Sequence, residues 1–105
     1  MTEAEFNERV DNDFELIEEA LDNIDTDIDA EIQGSVLTLT CENGSAIIFS
    51  RQSASQELWM AARSGGYHFR LQDDHWCCTK TGTPLRNLFA DATLEQAGEA
   101  VSVEL

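Results

Sequence analysis

The spacing of apolar residues changes twice along this 105-residue chain, and these changes limit the fold more than any other sequence feature. From Phe6 to Ile24, apolar residues recur every three or four positions, which is the period of an amphipathic helix. Between residues 25 and 79 they alternate with polar residues, as in β-strands, and the helical spacing returns at Leu85. The sequence therefore predicts the order helix, strands, helix.

The first predicted helix has a clear start and an unfavourable end. Thr2 and Glu5 have the spacing of a capping box. Farther along, pairs such as Glu15 with Glu19 and Glu18 with Asp22 place like charges one turn apart, where they repel. Acidic residues near the carboxyl end also oppose the helix dipole. Helix stability alone does not explain this pattern, which suggests that the acidic face has a function.

Turn signals divide the middle of the chain into five or six short strands. The strongest is the Asn-Gly pair at Asn43 and Gly44, which is typical of a tight hairpin. The predicted strands cover residues 25–32, 35–41, 46–50, 56–62, 67–71 and 75–79. A second helix is predicted with Thr83 as its N-cap, Pro84 at its first position and Gly98 at its end. We expect a single α+β domain over residues 1–105, a two-layer sandwich with two helices on one face of one antiparallel sheet.

The net charge of −15 is concentrated at one end of the chain. Residues 1–31 contain 13 of the 21 acidic residues and only one of the six basic residues, Arg9. This imbalance argues against binding to nucleic acid phosphates or to anionic membranes, and it favours cations or a basic protein patch. We expect no membrane span, signal peptide or transit peptide. Three cysteines are an odd number, which favours free thiols in a reducing cytoplasm.

Seven carboxylates gather where the first helix ends and the first strand begins, and we call these seven residues the acidic ridge. They are Glu18, Glu19, Asp22, Asp25, Asp27, Asp29 and Glu31. Carboxylate oxygens suit hard cations such as Mg²⁺, Ca²⁺, Mn²⁺ and iron. The spacing of the Asp residues resembles an EF-hand loop, but Ala30 and Val36 replace its required Gly and Glu. We therefore expect weak, surface binding of metal; a solvated acidic face that serves solubility is the alternative.

The remaining polar residues form no recognisable catalytic or zinc site. His75, Cys77 and Cys78 invite a zinc interpretation, but adjacent cysteines in a strand point to opposite sides and cannot easily share one tetrahedral site. No nucleophile motif and no phosphate-binding glycine loop is present. The sequence therefore predicts a protein that is not an enzyme.

Trp59 is the residue most suggestive of a contact surface. Strand alternation places Trp59 on the other face of the sheet from Leu58 and Met60, away from the helices. On that face we expect His68, Arg70 and residues beside Arg51 as its neighbours. An exposed Trp on an open sheet is a candidate interaction hot spot. The alternative is that its ring lies over neighbouring side chains without a binding role.

Several of these segments, taken in order, resemble the frataxin family, in particular its bacterial branch, and the similarity covers nearly the whole chain. The segments are Glu42-Asn43-Gly44-Ser45, Ile47-Ile48, Arg51-Gln52, Leu58-Trp59-Met60-Ala61, Gly65-Gly66-Tyr67-His68-Phe69 and Gln96-Ala97-Gly98-Glu99. The resemblance implies two helices on one face of an antiparallel sheet. It also implies an iron-binding accessory protein of iron–sulfur cluster assembly.

The resemblance further implies which residues act. The acidic ridge is expected to bind Fe²⁺, Fe³⁺ and other divalent cations. Its helical members Glu18, Glu19 and Asp22 are expected to dock on a basic patch of a cysteine desulfurase, whose activity the protein would modulate or to which it would supply iron. Partner contacts, including those with the iron–sulfur scaffold protein, are also expected at Trp59, Asn43, Gln52 and His68. The resemblance implies a monomer and leaves iron-dependent oligomers open.

Two other classes of function compete with this interpretation. An acidic interaction protein that binds no metal, such as a secretion chaperone or a nucleic-acid mimic, would also combine a small α+β fold with strong negative charge. A secretion chaperone should, however, show an apolar face for dimerisation. An iron-oxidising enzyme would need a dinuclear site, and the sequence contains no Glu-x-x-His pair.

Overall fold

Two helices pack on a six-stranded antiparallel sheet in the computed structural model, which describes residues 1–105. The elements are α1 (Glu3–Asp22), β1 (Asp29–Gln33), β2 (Val36–Thr40), β3 (Ala46–Gln52), β4 (Glu57–Ala62), β5 (Gly65–Gln72), β6 (His75–Cys78) and α2 (Leu85–Ala97). The strands lie side by side in chain order, and every neighbouring pair is antiparallel. The predicted α+β two-layer architecture is confirmed.

The start of α1 follows the predicted capping box. The Thr2 hydroxyl accepts the Glu5 backbone N–H at 3.1 Å, and the Glu5 carboxylate accepts the Thr2 N–H at 2.8 Å. These reciprocal bonds satisfy two of the N–H groups that a helix leaves free at its start. The last turn of α1 contains no basic residue, so nothing there complements the negative end of its dipole.

One face of the sheet forms the hydrophobic core with the two helices. Strand alternation buries the inward-facing residues of β2 to β5, and the buried stripe of α1 covers them. The principal buried residues are Phe6, Val10, Phe14, Ile17, Leu21, Leu37, Leu39, Ile47, Phe49, Leu58, Met60, Phe69, Trp76, Leu85 and Phe89. Because both helices lie on this face, the opposite face of the sheet is left open to solvent.

The first strand is shorter than its alternating pattern predicts. Residues 25–28 have no ladder partner, and β1 begins at Asp29, which lies opposite Thr40 at the end of β2. Beyond Thr40 the chain turns into the β2–β3 hairpin, so no backbone remains for Asp25 or Asp27 to pair with. Residues 25–28 belong to the connector, the segment between the end of α1 and the start of β1. In it, exposed acidic residues still alternate with half-buried ones.

The start of α2 differs from the prediction, and its end agrees with it. Pro84, not Thr83, is the N-cap: its backbone is extended, with φ −62° and ψ 140°, and it offers no side-chain cap. The Thr83 hydroxyl instead bonds the Thr81 hydroxyl at 2.8 Å. Gly98 ends the helix in the left-handed conformation, with φ 78°, and donates its N–H to the Leu94 carbonyl.

The segment after α2 contributes to the core although it forms no helix or strand. Val101, Val103 and Leu105 are buried and alternate with exposed Ser102 and Glu104. The Val101 N–H donates to the hydroxyl of Thr93, which is itself fully buried in α2. This segment therefore completes the core against α2. No helix in the chain has the length and apolarity needed to cross a membrane.

Candidate functional site

The acidic ridge runs from the end of α1, through the connector, to the edge strand β1. Glu18, Glu19 and Asp22 lie in the last two turns of α1, Asp25 and Asp27 in the connector, and Asp29 and Glu31 on β1. Six of the seven are exposed, and Glu18 is half-buried. Amphipathic spacing in the helix and alternation in the strand place the apolar neighbours inward, so the acids face water.

The two strand members of the ridge face away from the helices. Ala30 lies opposite the buried Leu39 and belongs to the core face. Asp29, its neighbour, lies opposite the exposed Thr40, and Glu31 follows two residues later on the same side. The ridge therefore bends around the edge of the sheet, from the helix layer to the open face.

No base neutralises the ridge. None of its seven side chains makes a hydrogen bond or an ion pair within the chain. The bases that contact α1 are held nearer its amino end, where Arg9 pairs with Asp13 and Arg51 pairs with Asp11. No three acidic, histidine or cysteine side chains come close enough to hold one metal ion. The ridge can therefore attract cations or a basic surface, but it does not form a closed metal cage.

A second cluster surrounds Trp59 on the open face of the sheet. Trp59 in β4 lies directly opposite His68 in β5, and the two rings stack with centroids 4.1 Å apart and an interplanar angle of 7°. The indole N–H donates to the Glu57 carboxylate at 2.9 Å. Trp59 stays 36% exposed, so its ring is accessible although it is held from two sides.

Glu57 joins the members of this cluster. Its second carboxylate oxygen accepts the Arg70 Nε–H at 3.1 Å, and His68 Nδ1 lies 3.9 Å from the oxygen that holds Trp59. The hydrogen bond from Trp59, together with Arg70, lowers the pKa of the Glu57 carboxyl below its ordinary value, against the opposing effect of burial. Glu57 is therefore an ionised anchor for three neighbouring side chains.

The structure brings two of the other predicted contact residues to this face and places one elsewhere. Gln52 lies opposite Glu57, on the same side of the sheet as Trp59 and His68. Asn43 instead lies in the β2–β3 turn, where its amide donates to the Gln96 carbonyl at 3.0 Å. Its side-chain oxygen accepts from the N–H and hydroxyl of Ser45. Asn43 therefore fastens the hairpin to α2.

Asn43 also lies beside the ridge. A polar cleft of about 480 Å³ separates the connector from the β2–β3 turn and the end of α2. Its lining residues are Thr26, Asp27, Glu42, Asn43, Gln96 and Ala97. The predicted contact residues thus divide between two surfaces: the ridge with Asn43, and the open sheet face with Trp59, Gln52 and His68.

The residues beside Arg51 lie near Trp59, as expected: Ser50 pairs directly with Trp59, and Gln52 lies on the same face of the sheet. Arg51 itself points the other way. Arg51 lies opposite the buried Leu58 and therefore faces the helix layer. Its guanidinium pairs with Asp11 and lies 5.4 Å from the centre of the Phe14 ring. Arg51 faces the core, but its long aliphatic chain lets the guanidinium reach the protein surface beside α1, at Asp11.

The sequence did not reveal a buried polar network between α1 and β6. Asp13 is 2% exposed, and its carboxylate accepts the Trp76 indole N–H at 2.6 Å and the Arg9 Nε–H at 2.8 Å. Arg9 continues to the carboxylate and carbonyl of Asp74. The spacing of Arg9 and Asp13, four residues apart, was the only available signal, and it is common on exposed helices.

The three cysteines are free, and the adjacent pair points to opposite sides of the sheet. Cys78 lies opposite the buried Phe69 and is buried, whereas Cys77 lies opposite the exposed Arg70 and is half-buried. Burial raises the pKa of the Cys78 thiol, but hydrogen bonds from Thr81 and from the Lys80 backbone outweigh it and lower the pKa overall. Strand alternation predicts these opposite orientations of Cys77 and Cys78.

Comparison with known proteins agrees with this fold. A family model described as the frataxin-like domain matches residues 1–99. The chain is 44% identical over 102 residues to the iron–sulfur cluster assembly protein CyaY of Vibrio atlanticus, which covers 97% of this chain and 98% of that protein. Among solved structures, the frataxin of Psychromonas ingrahamii superposes with a TM-score of 0.91 at 28% identity, covering 97% of each chain.

A more distant match is a crystal structure of trimeric frataxin from Saccharomyces cerevisiae complexed with ferrous iron. Its TM-score is 0.65 at 20% identity, covering 92% of this chain and 86% of the yeast chain. At that identity the likeness concerns the fold alone.

Proposed function

Because this chain belongs to the frataxin-like family, we propose that it is an iron-binding accessory protein of iron–sulfur cluster assembly. The observation that carries the proposal is the acidic ridge, whose seven carboxylates have no compensating base in the chain. The relative from Vibrio atlanticus is named for iron–sulfur cluster assembly, and it matches nearly the full length of this chain. The ridge would supply the electrostatic part of that role.

We propose that the ridge binds Fe²⁺ and Fe³⁺, and other divalent cations, at the same surface positions. Carboxylate oxygens are suitable ligands for these hard cations. Since no three ligating side chains converge, each ion would contact one or two carboxylates and keep most of its water. Such binding is weak and exchangeable, which suits a protein that passes iron on or senses it.

The same ridge would dock on a basic patch of a cysteine desulfurase. Glu18, Glu19 and Asp22 form the helical part of this surface, and their uncompensated charge would steer a basic partner toward it. Docking there could modulate the desulfurase or deliver iron to it. The open face with Trp59, Gln52 and His68 would provide the second contact, with the iron–sulfur scaffold protein, and Asn43 would contribute from beside the ridge.

We assign the protein no reaction of its own. Acid–base catalysis by two carboxylates needs environments that separate their pKa values. Six of the seven ridge carboxylates are exposed, so their environments are similar. A monomer in a reducing cytoplasm fits this role and the three free thiols.

Charge reversal tests the docking surface. The variant E18K/E19K/D22K should lose binding to purified desulfurase, whereas E3K/E8K/E15K changes the same number of charges on exposed residues of the same helix and should retain it. Pull-downs at low salt, with and without Fe²⁺ and with the scaffold protein present, measure both. Unchanged affinity of the ridge variant contradicts the docking surface. Loss in the ridge variant, but no dependence on Fe²⁺, favours an interaction protein whose docking needs no metal.

A further inference from the structure

The exposed indole of Trp59 is held in place by two side chains that respond differently to pH. Glu57 accepts the indole N–H at 2.9 Å, and His68 covers one face of the ring at a centroid distance of 4.1 Å. A carboxylate is ionised throughout the neutral range, whereas an imidazole ordinarily changes charge between about pH 5 and pH 8. Of the two contacts, the one with His68 is therefore the one that gain or loss of a proton can alter.

Protonation of His68 would strengthen both of its contacts. An imidazolium stacked on an indole adds the attraction of a cation for the electron-rich ring face. The same charge lies 3.9 Å, measured at Nδ1, from the Glu57 oxygen that holds the Trp59 N–H. Both contributions draw the imidazole toward the position that it already occupies.

Other charged groups near His68 oppose this effect only in part. Arg70 repels an imidazolium, but it is bound to Glu57 through the second carboxylate oxygen, at 3.1 Å. Lys80 lines a cavity of about 210 Å³ together with His68, and the titratable Tyr67 and Cys78 line it too. Cys77 faces the same side of the sheet opposite Arg70. Glu57 is the only acidic side chain in contact with the imidazole.

We propose that Glu57, His68 and Trp59 form a proton-controlled latch on the open face of the sheet. Protonation of His68 shifts the Trp59 ring toward the stacked position, and loss of the proton shifts it toward positions open to a partner, while the indole N–H keeps its bond to Glu57. This inference rests on the proposed function, in which Trp59 contacts a partner. Glu57 acts in the latch as a positioning residue, since it fixes the indole N–H and attracts the imidazolium.

His68 covers one face of the Trp59 indole. A partner that binds this face would therefore bind better when the imidazole is neutral. At an exposed site, the attraction between an imidazolium and an indole changes the ratio of stacked to unstacked Trp59 rings by about two- to five-fold. Partner binding at Trp59 would therefore weaken by about this factor on acidification, even if the partner itself does not titrate.

Nuclear magnetic resonance of the free, full-length protein tests the latch without any partner. The chain has two tryptophans, so it gives two indole N–H signals, which W59F assigns. The Trp59 signal should shift between pH 8 and pH 5 in step with the His68 imidazole signal, and its indole N–H should become less mobile at pH 5. The Trp76 signal should stay fixed, since that indole is fully buried against Asp13.

Three variants assign the effect. In H68Q the pH-dependent shift of Trp59 should disappear, and in H75Q, which changes the other histidine, it should persist. In E57Q the shift should shrink, because an amide oxygen still accepts the indole N–H but carries no charge. A Trp59 signal that stays still while His68 titrates, or that follows His75, overturns the latch. An E57Q shift as large as that of the wild type overturns the role of Glu57. Neither result bears on iron or desulfurase binding.

Discussion

The Arg9 guanidinium lies 2.8 Å from the Asp13 carboxylate, one turn along α1, and no base has the corresponding position at the other end of the helix. Neutralisation on α1 therefore ends at Asp13, and the acidic ridge lies beyond it, from Glu18 onward. The uncompensated negative charge of the chain is therefore concentrated on one surface.

Partial neutralisation of the ridge should stabilise the fold. Glu18 and Asp22 lie one turn apart and repel, and they also oppose the dipole of α1. We expect E18Q/E19Q/D22N to raise Tm by about 2–4 °C at low salt. The control E3Q removes an acid from the first turn, where negative charge is favourable, and should not raise it. Differential scanning calorimetry measures both.

Salt and divalent cations should act on the same repulsion. Screening or binding of cations at the ridge should raise the Tm of the wild type, and the response should be smaller in E18Q/E19Q/D22N. Melting curves at increasing NaCl and MgCl₂ concentrations test this. A wild-type Tm that is indifferent to both salts would show that the ridge is not repulsive.

Removal of the buried carboxylate of Asp13 should destabilise the protein strongly. Asp13→Ala leaves Arg9 without its buried partner and the Trp76 indole N–H without its acceptor. A buried donor left without its acceptor, as the Trp76 N–H would be, costs about 1–3 kcal/mol, whereas Arg9 keeps its contact with Asp74. The exposed neighbour variant Glu15→Ala should change the free energy of unfolding by less than about 0.5 kcal/mol. Urea denaturation followed by tryptophan fluorescence gives both values, and equal stability of the two variants contradicts a structural role for Asp13.

The carboxylate of Glu57 should contribute stability that depends on pH. Its pKa is lowered in the folded protein, so the contribution is fully present above its unfolded pKa of about 4.3 and is lost as the pH falls through the lower folded value. The difference in unfolding free energy between wild type and E57Q should therefore be constant near neutral pH and shrink below about pH 4. Denaturant titrations at a series of pH values check this. A difference that grows on acidification has the wrong sign.

The segment after α2 should be essential to the core. Leu105 is fully buried, and Leu105→Ala should cost about 2–4 kcal/mol of unfolding free energy, whereas the adjacent exposed Glu104→Ala should cost almost nothing. Chemical denaturation distinguishes these results. Similar stability of the two variants would show that the segment packs loosely.

Local periodicity was sufficient to predict the order of elements, the inward faces of the strands and the location of the ridge. It did not predict that β1 would begin at Asp29, because that depends on where the partner strand ends. Nor did it place Arg51 under α1 or Asp13 in the core. Their positions depend on contacts between residues 40 and 63 positions apart.

The sequence predicts those parts of the sites that depend on a single helix or strand, but not the contacts between elements. Strand alternation placed Trp59 and His68 on the open face, and the structure adds that their rings stack and share Glu57. Asn43 was expected at or beside the sheet, but its amide is bound to α2, a contact that local sequence does not encode.

Binding of iron at the acidic ridge can be measured by an anaerobic titration of the isotope-labelled protein with Fe²⁺. Paramagnetic Fe²⁺ broadens the amide signals of nearby residues. We expect the signals from residues 18–31 to broaden first and D25N/D27N/D29N to reduce the broadening. The control E3Q/E8Q/E15Q, with the same change in charge, should leave it intact. Broadening that begins at His75 and Cys77, or that affects the whole chain equally, would show that iron does not bind at the ridge.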